Sequence, residues 1–210
     1  WKTLVKVADD SPTQYLTGNL LRNAELVSDD PTIGYIEVPG WDEPQGINTS
    51  ATPGFFRQGG GSERAGWITW RQNGAEVGQI SYTMNSDYIS VIPGDRMLVF
   101  GLVNSLVYSA ADRKSDVWMG VNFYTSGEVF TEQHFTNRVR TTEPATSGLQ
   151  TFRMVEKFVT VPSTSSLARV FVMMEGINNG DNNDPIEAVF SRPFFGRASA
   201  GQVTRPPWSA

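Results

Sequence analysis

The sequence predicts an all-β domain, an antiparallel β-sandwich, on three observations. Short apolar or alternating runs recur at intervals of about 10 to 20 residues, which is typical of strands. Clusters of Gly, Pro, Asn, Asp and Ser separate these runs and mark turns. No long segment carries apolar residues at the i, i+3, i+4, i+7 spacing of an amphipathic helix. At 210 residues the chain fits one large β domain.

The apolar runs predict the strands in order. In chain order they are 66–71, 79–84, 89–92, 97–103, 117–124, 129–130, 152–161, 167–174 and 188–195. The run 79–84 alternates polar and apolar side chains, as a strand with one buried face should. The run 97–103 is apolar almost throughout, so we expect both of its faces to be covered. The runs 152–161 and 167–174 are expected to form a pair around Pro162.

Turn and loop signals lie between these runs. Asn73-Gly74, Pro93-Gly94 and Gly127 each mark a chain reversal. The two long polar segments, 42–65 and 137–150, are predicted to be loops. One short helix, within 19–26 or 105–113, stays open as an alternative.

Charge and composition exclude several classes of partner. The formal net charge is −5 and no Lys/Arg cluster is present, so nucleic acid is not an expected partner. No run approaches the roughly 18 apolar residues that a membrane span needs, so membrane insertion is not expected either. Cysteine is absent, which excludes disulfides and thiolate metal ligands and leaves the redox compartment open.

Few residues of the sequence are candidates for a catalytic role. His134 is the one histidine, and no G-x-S-x-G nucleophile motif accompanies it, so we interpret it as structural. Zinc sites need several His or Cys ligands, which the chain does not supply. Paired carboxylates remain, and we interpret them as solvated charges. They are Glu128, Glu132, Glu156 and Glu175. The sequence therefore favours a protein that is not an enzyme.

Four segments carry a resemblance to a known group of proteins. They are 18–25 followed by Pro39-Gly40-Trp41, then 89–100, then 158–162 followed by 168–172, and last 186–191. In this order they resemble carbohydrate-binding modules of the galactose-binding-like jelly-roll type, a fold that also occurs in phage tail-fibre and receptor-binding proteins. The resemblance implies a domain over 18–196, with 1–17 as an N-terminal extension or linker and 197–210 as an extended C-terminal tail. Fold alone does not assign function.

The resemblance also implies a structural calcium ion. The family often holds calcium between an early acidic residue and an Asp near the closing strand, and the matching positions here are Glu25 and Glu187. Calcium accepts Glu carboxylates, so the site is an expectation despite the change from Asp. The oxygen-rich stretch 178–184 lacks the EF-hand spacing, and we interpret it as a polar hairpin loop.

Strand alternation points to a ligand-binding face, because side chains i and i+2 share one side of a sheet. Along 117–124, one set of side chains must be core, while Trp118, Asn122 and Tyr124 point the other way and Gly120 leaves an open gap. Along 168–175, Arg169 and Glu175 point outward with Phe171 and Met173. We predict a sugar platform with exposed aromatic rings. The ligand-binding candidates are Trp118, Asn122, Tyr124, Arg169 and Glu175.

Two other interpretations of this face stay open: the chain's own loops cover it, or a partner subunit does. The predicted function is a non-catalytic glycan-recognition module, extracellular or on a virion surface, in a phage tail fibre or similar assembly. Its partners would be a host-surface or extracellular polysaccharide and further copies of the chain, with a trimer as one option. The alternatives are a structural virion protein whose aromatic face makes subunit contacts and, less favoured, a glycoside hydrolase or its accessory module.

Overall fold

The chain forms two antiparallel sheets that pack face to face. The computed structural model describes residues 5–6, 15–16, 18–24, 26, 38–42, 45–47, 54–56, 67–72, 77–107, 114–141, 152–179 and 186–204. None of these residues lies in a helix; residues 21–24 form a turn and 105–107 belong to a strand. The predicted all-β antiparallel sandwich is therefore confirmed.

The described part of the chain contains strands of very different length. In order they are β1 (Val5–Lys6), β2 (Tyr15–Leu16), β3 (Gln45–Ile47), β4 (Gly54–Phe56), β5 (Trp67–Gln72), β6 (Val77–Asn85), β7 (Ile89–Ser90), β8 (Arg96–Val107), β9 (Lys114–Tyr124), β10 (Phe130–Phe135), β11 (Val139–Thr141), β12 (Arg153–Thr160), β13 (Leu167–Asn179) and β14 (Ile186–Arg197). Short strands at 45–47, 54–56 and 139–141 correct the prediction that 42–65 and 137–150 are loops throughout.

Each main sheet has a five-strand path. Sheet I follows the order β10-β9-β13-β6-β3, with β11 also paired to β9 and β7 to β13. Sheet II follows β12-β8-β14-β5-β4, and β1 with β2 forms a separate two-stranded ladder. Every ladder in the described residues is antiparallel.

Successive long strands alternate between the sheets: β8 is in sheet II, β9 in sheet I, β12 in sheet II, β13 in sheet I and β14 in sheet II. The expected pair of 152–161 with 167–174 is therefore wrong, because β12 is paired with β8 in sheet II and β13 with β6, β7 and β9 in sheet I. The strands β13 and β14 also belong to different sheets. Of the stretch 178–184, which we interpret as a polar hairpin loop, residues 178–179 belong to β13 and the rest lie outside the described residues. Turn signals mark a reversal of the chain without saying which strand it joins.

The β9–β10 connection is a true hairpin, as the turn signal at Gly127 predicted. Thr125 N donates to Val129 O at 2.9 Å and Glu128 N donates to Thr125 O at 3.0 Å. Glu128 closes the turn with φ 61°, in the left-handed region. This hairpin sets where β10 runs along β9, and it carries Phe130 to the position opposite Tyr124.

The core lies between the sheets and contains the predicted inward faces. In β9 these are Val117, Met119, Val121 and Phe123, and in β13 they are Ala168, Val170, Val172 and Met174; all have 0% exposure. Full burial of one large apolar side chain stabilises the fold by about 1.5–3 kcal/mol. The β8 strand is covered on both faces, as expected: Val99 and Val103 face the core, and Phe100 stacks on Phe194 at 4.7 Å in an outer cluster.

Gly120 is the tightest point on the outer face of sheet I. A Cβ at this position would collide with the Phe171 ring and with the carbonyl oxygen of His134. Phe135 meets the Phe171 ring edge-on at 5.8 Å, so the two rings close over the glycine. The expected open gap at Gly120 is therefore wrong, because aromatic rings from β10 and β13 fill it.

We predict that Gly120→Ala destabilises the protein by about 1–3 kcal/mol, the usual cost of forcing extra atoms into a packed site. The matched control is Gly127→Ala, where the nearest atom to a new Cβ is Thr125 Oγ1 at 3.8 Å and little change is expected. Urea denaturation of both variants measures the difference. Equal stability of the two variants would contradict the packing described around Gly120.

Candidate functional site

A row of polar side chains crosses the outer face of sheet I. Gln133 of β10, Asn122 of β9 and Arg169 of β13 are successive neighbours in the strand register. Gln133 Nε2 donates to Asn122 Oδ1 at 2.7 Å, and this bond is exposed to solvent. Facing side chains in antiparallel strands share one side of the sheet. The three groups therefore form a continuous strip of donors and acceptors.

Arg169 fixes the far end of this strip. Its Nε donates to the carbonyl oxygen of Ser86 at 2.6 Å and its Nη2 donates to the carboxylate of Asp42. Asp42 is in turn held by its backbone N, which donates to Asn85 O at 2.7 Å. We call Gln133, Asn122, Arg169 and Asp42 the polar row.

Three aromatic rings line one side of the polar row. Tyr88 meets Tyr124 edge-on at 5.2 Å, and Tyr124 meets Phe130 edge-on at 6.0 Å. Phe130 is 55% exposed and Tyr88 38% exposed, while Tyr124 is half-buried between them. The Arg169 guanidinium lies 4.9 Å from the centre of the Tyr88 ring and joins the rings to the polar row. We call these three rings the aromatic ladder.

The other side of the polar row is formed by Phe135 and Phe171 over Gly120. Phe171 is 1% exposed, whereas Phe135 is 40% exposed. Strips of apolar surface therefore border the hydrogen-bonding groups on both sides. Ligand sites combine apolar walls with a few placed polar groups in this manner.

Trp118 does not lie on this platform, and its predicted exposure is wrong. Its side chain is buried at 1% exposure, with the Arg138 guanidinium 3.9 Å from the ring centre. Arg138 also lies 3.4 Å from Glu175, which holds it over the indole. Cation–π contact and charge pairing both favour this arrangement. The chain covers Trp118 with a residue from a segment that the sequence had suggested to be a loop.

A second ion pair follows Trp118 on the same face. Arg140 binds Asp116 through two hydrogen bonds, of 2.7 Å from Nε and 2.6 Å from Nη2. The hydrogen bond to the Asp116 carboxylate, with its charge, raises the pKa of Arg140 above its ordinary value. This end of the face is therefore a structural network of paired charges.

The structure brings three of the five predicted ligand residues together and separates two. Asn122, Tyr124 and Arg169 are neighbours, while Trp118 and Glu175 lie further along the face beneath and beside Arg138. Whether any of them binds a ligand stays a prediction. The sequence interpretation missed Gln133, Phe130, Tyr88 and Asp42. The alternation of 130–135 was the available signal for Gln133, since the strand was expected to end at Phe130.

The single histidine lies on the other side of β10. His134 pairs with Val121, and its ring meets Phe123 edge-on at 5.9 Å. Its Nε2 is 2.9 Å from Glu132 Oε1, at ion-pair distance but without hydrogen-bond alignment. Both side chains line a cleft of about 740 Å³ between β10 and β12, which also contains Lys157.

The other carboxylates considered for catalysis lie elsewhere. Glu128 is in the β9–β10 turn, Glu156 is paired in register with Phe100 of sheet II, and Glu175 is held by Arg138 on sheet I. The described side chains therefore place these acids on separate surfaces of the molecule.

The calcium prediction is not tested by these residues. Glu25 lies outside the described part of the chain, and Glu187 is placed by its backbone pairing with Arg71 and Leu106. Among described residues, no group of three His, Cys, Asp or Glu side chains could hold a metal ion. The site at Glu25 and Glu187 stays a prediction.

Membrane insertion has no helical candidate in the described residues: no helix there is long and apolar enough to cross a bilayer.

Comparison with known proteins supports the fold and leaves the family open. No protein-family model matches the sequence, and no curated protein matches it either. Among solved structures, TmCBM61 in complex with β-1,4-galactotriose is similar at 11% identity and a TM-score of 0.50, covering 86% of this chain and 99% of that chain. The likeness shows a β-sandwich of the kind found in carbohydrate-binding modules.

The enzymatically active domain of tailspike protein 4 from bacteriophage CBA120 is similar at 9% identity and a TM-score of 0.52. That match covers 85% of this chain and 21% of the other, so the present chain spans about a fifth of the tailspike domain. The CBM22-1 xylan-binding domain of Paenibacillus barcinonensis Xyn10C matches at 10% identity, with 88% and 97% coverage and a TM-score of 0.46.

We predict that Trp118→Ala lowers the free energy of unfolding by about 3–5 kcal/mol, as truncation of a buried Trp usually does. The matched control is Phe130→Ala in the aromatic ladder, which should cost less than about 1 kcal/mol because its ring is largely exposed. Thermal and chemical denaturation of both variants give the comparison. Near-wild-type stability of Trp118→Ala would contradict its burial beneath Arg138.

Proposed function

We propose that the outer face of sheet I binds a glycan chain along the polar row and the aromatic ladder. The observation that carries this proposal is their adjacency: exposed rings of Tyr88 and Phe130 lie beside a hydrogen-bonding strip that crosses three strands. A sugar presents apolar C–H faces and hydroxyl groups at once. A face that offers rings and amides side by side complements both.

The chemistry of each group fits a hydroxyl-rich ligand. The amides of Asn122 and Gln133 each combine an acceptor oxygen with an NH₂ donor, so they can both donate to and accept from sugar hydroxyls. Asp42 adds a carboxylate acceptor. The aromatic ladder supplies apolar area with little loss of side-chain entropy, since the rings already support one another. The role is recognition, and no bond is made or broken in it.

Two comparisons support the proposal. The similar structure of TmCBM61 was solved with β-1,4-galactotriose, and the similarity extends over 86% of the present chain. The likeness to part of a phage tailspike supports a place in an extracellular or virion-surface assembly, and we propose a polysaccharide as its partner there. Jelly-roll sandwiches serve both lectin and capsid roles, so the fold is compatible with either setting.

A second candidate function is assembly through strand β10. Phe130 and Phe135, at the two ends of the edge strand β10, are 55% and 40% exposed, and Val129, which directly precedes the strand, is 63% exposed. Exposed apolar residues on an edge strand favour contact with another protein surface. In this case the chain would be a structural part of a homo-oligomer.

We predict that Asn122→Ala combined with Tyr124→Ala lowers affinity for the bound glycan at least about tenfold, because a hydrogen-bonding group and a ring contact are lost together. A panel of purified polysaccharides, tested by affinity electrophoresis and then calorimetry, identifies the ligand and measures the change. The control is Val203→Ala, which removes a side chain that is 79% exposed in the C-terminal segment.

Unchanged affinity in the double variant would contradict the proposed site. Mass measurement in solution separates the second candidate: if Phe130→Ala dissociates an oligomer and no polysaccharide binds the wild-type protein, β10 is an assembly surface and the glycan proposal is wrong.

A further inference from the structure

Among the described residues, each arginine around the proposed site is paired with a carboxylate. One pair, Arg169 with Asp42, belongs to the polar row itself. Two more lie beside it or further along the face: Arg22 with Asp87 at 3.6 Å, and Arg138 with Glu175 at 3.4 Å. Arg22 and Asp87 line a pocket with Tyr88, at the end of the aromatic ladder. In the described part of this face, each of these arginines is therefore paired with a carboxylate.

A fourth arginine on this face is also paired with a carboxylate. Arg140 is held by Asp116 through both Nε and Nη2, at 2.7 and 2.6 Å, and Asp116 is only 6% exposed. This bidentate pairing occupies the edge of the guanidinium that could otherwise bind a carboxylate or sulfate group of a ligand. Arg169 is engaged in a similar way, with Nε on Ser86 O and Nη2 on Asp42.

Resting on the proposed glycan site, we infer that this face selects uncharged sugars, and that Asp42, Asp87 and Glu175 are the residues that set this selectivity. An acidic glycan would have to displace a protein carboxylate before it could pair with an arginine. It would also meet Glu128 near the ladder and a chain whose net charge is −5. The negative electrostatic field of such a protein repels polyanions over about a Debye length, roughly 8–10 Å at moderate salt.

Neutral sugars avoid this penalty. They can accept from the amides of Asn122 and Gln133 and donate to Asp42 without breaking an ion pair. The paired arginines keep a fixed position, and Arg169 still presents its guanidinium against the Tyr88 ring. The carboxylates thus stabilise the arginines as structural parts of the site while removing their attraction for anions.

The test compares neutral and acidic polymers on the same protein. Xylan and β-1,4-galactan serve as neutral probes, and polygalacturonate and heparin as acidic probes, at low and at physiological ionic strength. Asp87→Asn leaves the strand pairing untouched and frees Arg22, which lies in an exposed pair. It should raise polygalacturonate binding about fivefold at low salt, the size expected from an exposed ion pair. The gain should disappear when salt is added.

Asp42→Asn provides a second variant, in which the amide oxygen still accepts from Arg169 while the charge is gone. Asp95→Asn is the matched control: it makes the same change of charge beside Arg197 of sheet II, away from this face. The control should leave polygalacturonate binding as in the wild type. Selective gain in the first two variants supports the inference.

The outcomes separate this inference from the proposed function. If the wild type binds a neutral polymer through Asn122 and Tyr124 and binds the acidic probes only weakly, the result supports both the proposed function and the selectivity inference. If it binds polygalacturonate or heparin most tightly, through the same residues and with steep salt dependence, the site is real and the selectivity inference is wrong. If no polymer of either class binds, the proposed function and the inference fall together.

Discussion

The pairing of β9 with β13 determines which side chains of sheet I enter the core and which form the outer face. The ladder runs from Tyr124 opposite Leu167 to Lys114 opposite Ile177 without a register shift. Because side chains alternate along a strand, this one register sends Val121 and Val170 into the core and leaves Asn122 and Arg169 on the outer face. A slip of one residue would bury the polar row and expose the core at once.

Paired charges give the outer face its shape. Arg138 covers Trp118, with its guanidinium 3.9 Å from the ring centre, and Glu175 lies 3.4 Å from Nη1 of the same group. Long charged side chains can cover apolar surface in this way while their polar ends stay in contact with water. The same pairing makes the face electrically balanced. In the proposed site, stability and selectivity for uncharged sugars depend on the same contacts, so a change at one carboxylate should alter both.

Much of the fold could be predicted from the sequence because the alternation of apolar and polar residues along a strand indicates which side chains are buried. The inward faces of β9 and β13 were correct residue by residue, since hydrophobic periodicity is a local property. The sheet in which each strand lies is not local: β12 and β13 are joined by a short turn around Pro162 yet belong to different sheets. No residue in that turn specifies which neighbour each strand will find.

The candidate site was predicted only in part, because alternation is a local property and the contacts above the sheet are not. Asn122, Tyr124 and Arg169 share a face by alternation alone. The cover over Trp118 depends on Arg138, twenty residues further along the chain in a polar segment, and the filled gap at Gly120 depends on Phe135 and Phe171 from two other strands. Exposure of an outward side chain is set by what crosses above it, and that information resides in the tertiary structure.

The polar row and the aromatic ladder are the surface on which we propose that a glycan binds. The most direct measurement follows the side-chain amide signals of the protein by NMR during titration with β-1,4-galactotriose and xylo-oligosaccharides. We expect the signals of Asn122 and Gln133 to move with the bound fraction and the amide signal of Gln202, which is buried at 1% exposure, to stay in place. Shifts centred on His134 and Lys157 in the cleft between β10 and β12, with Asn122 and Gln133 unmoved, would contradict this proposal.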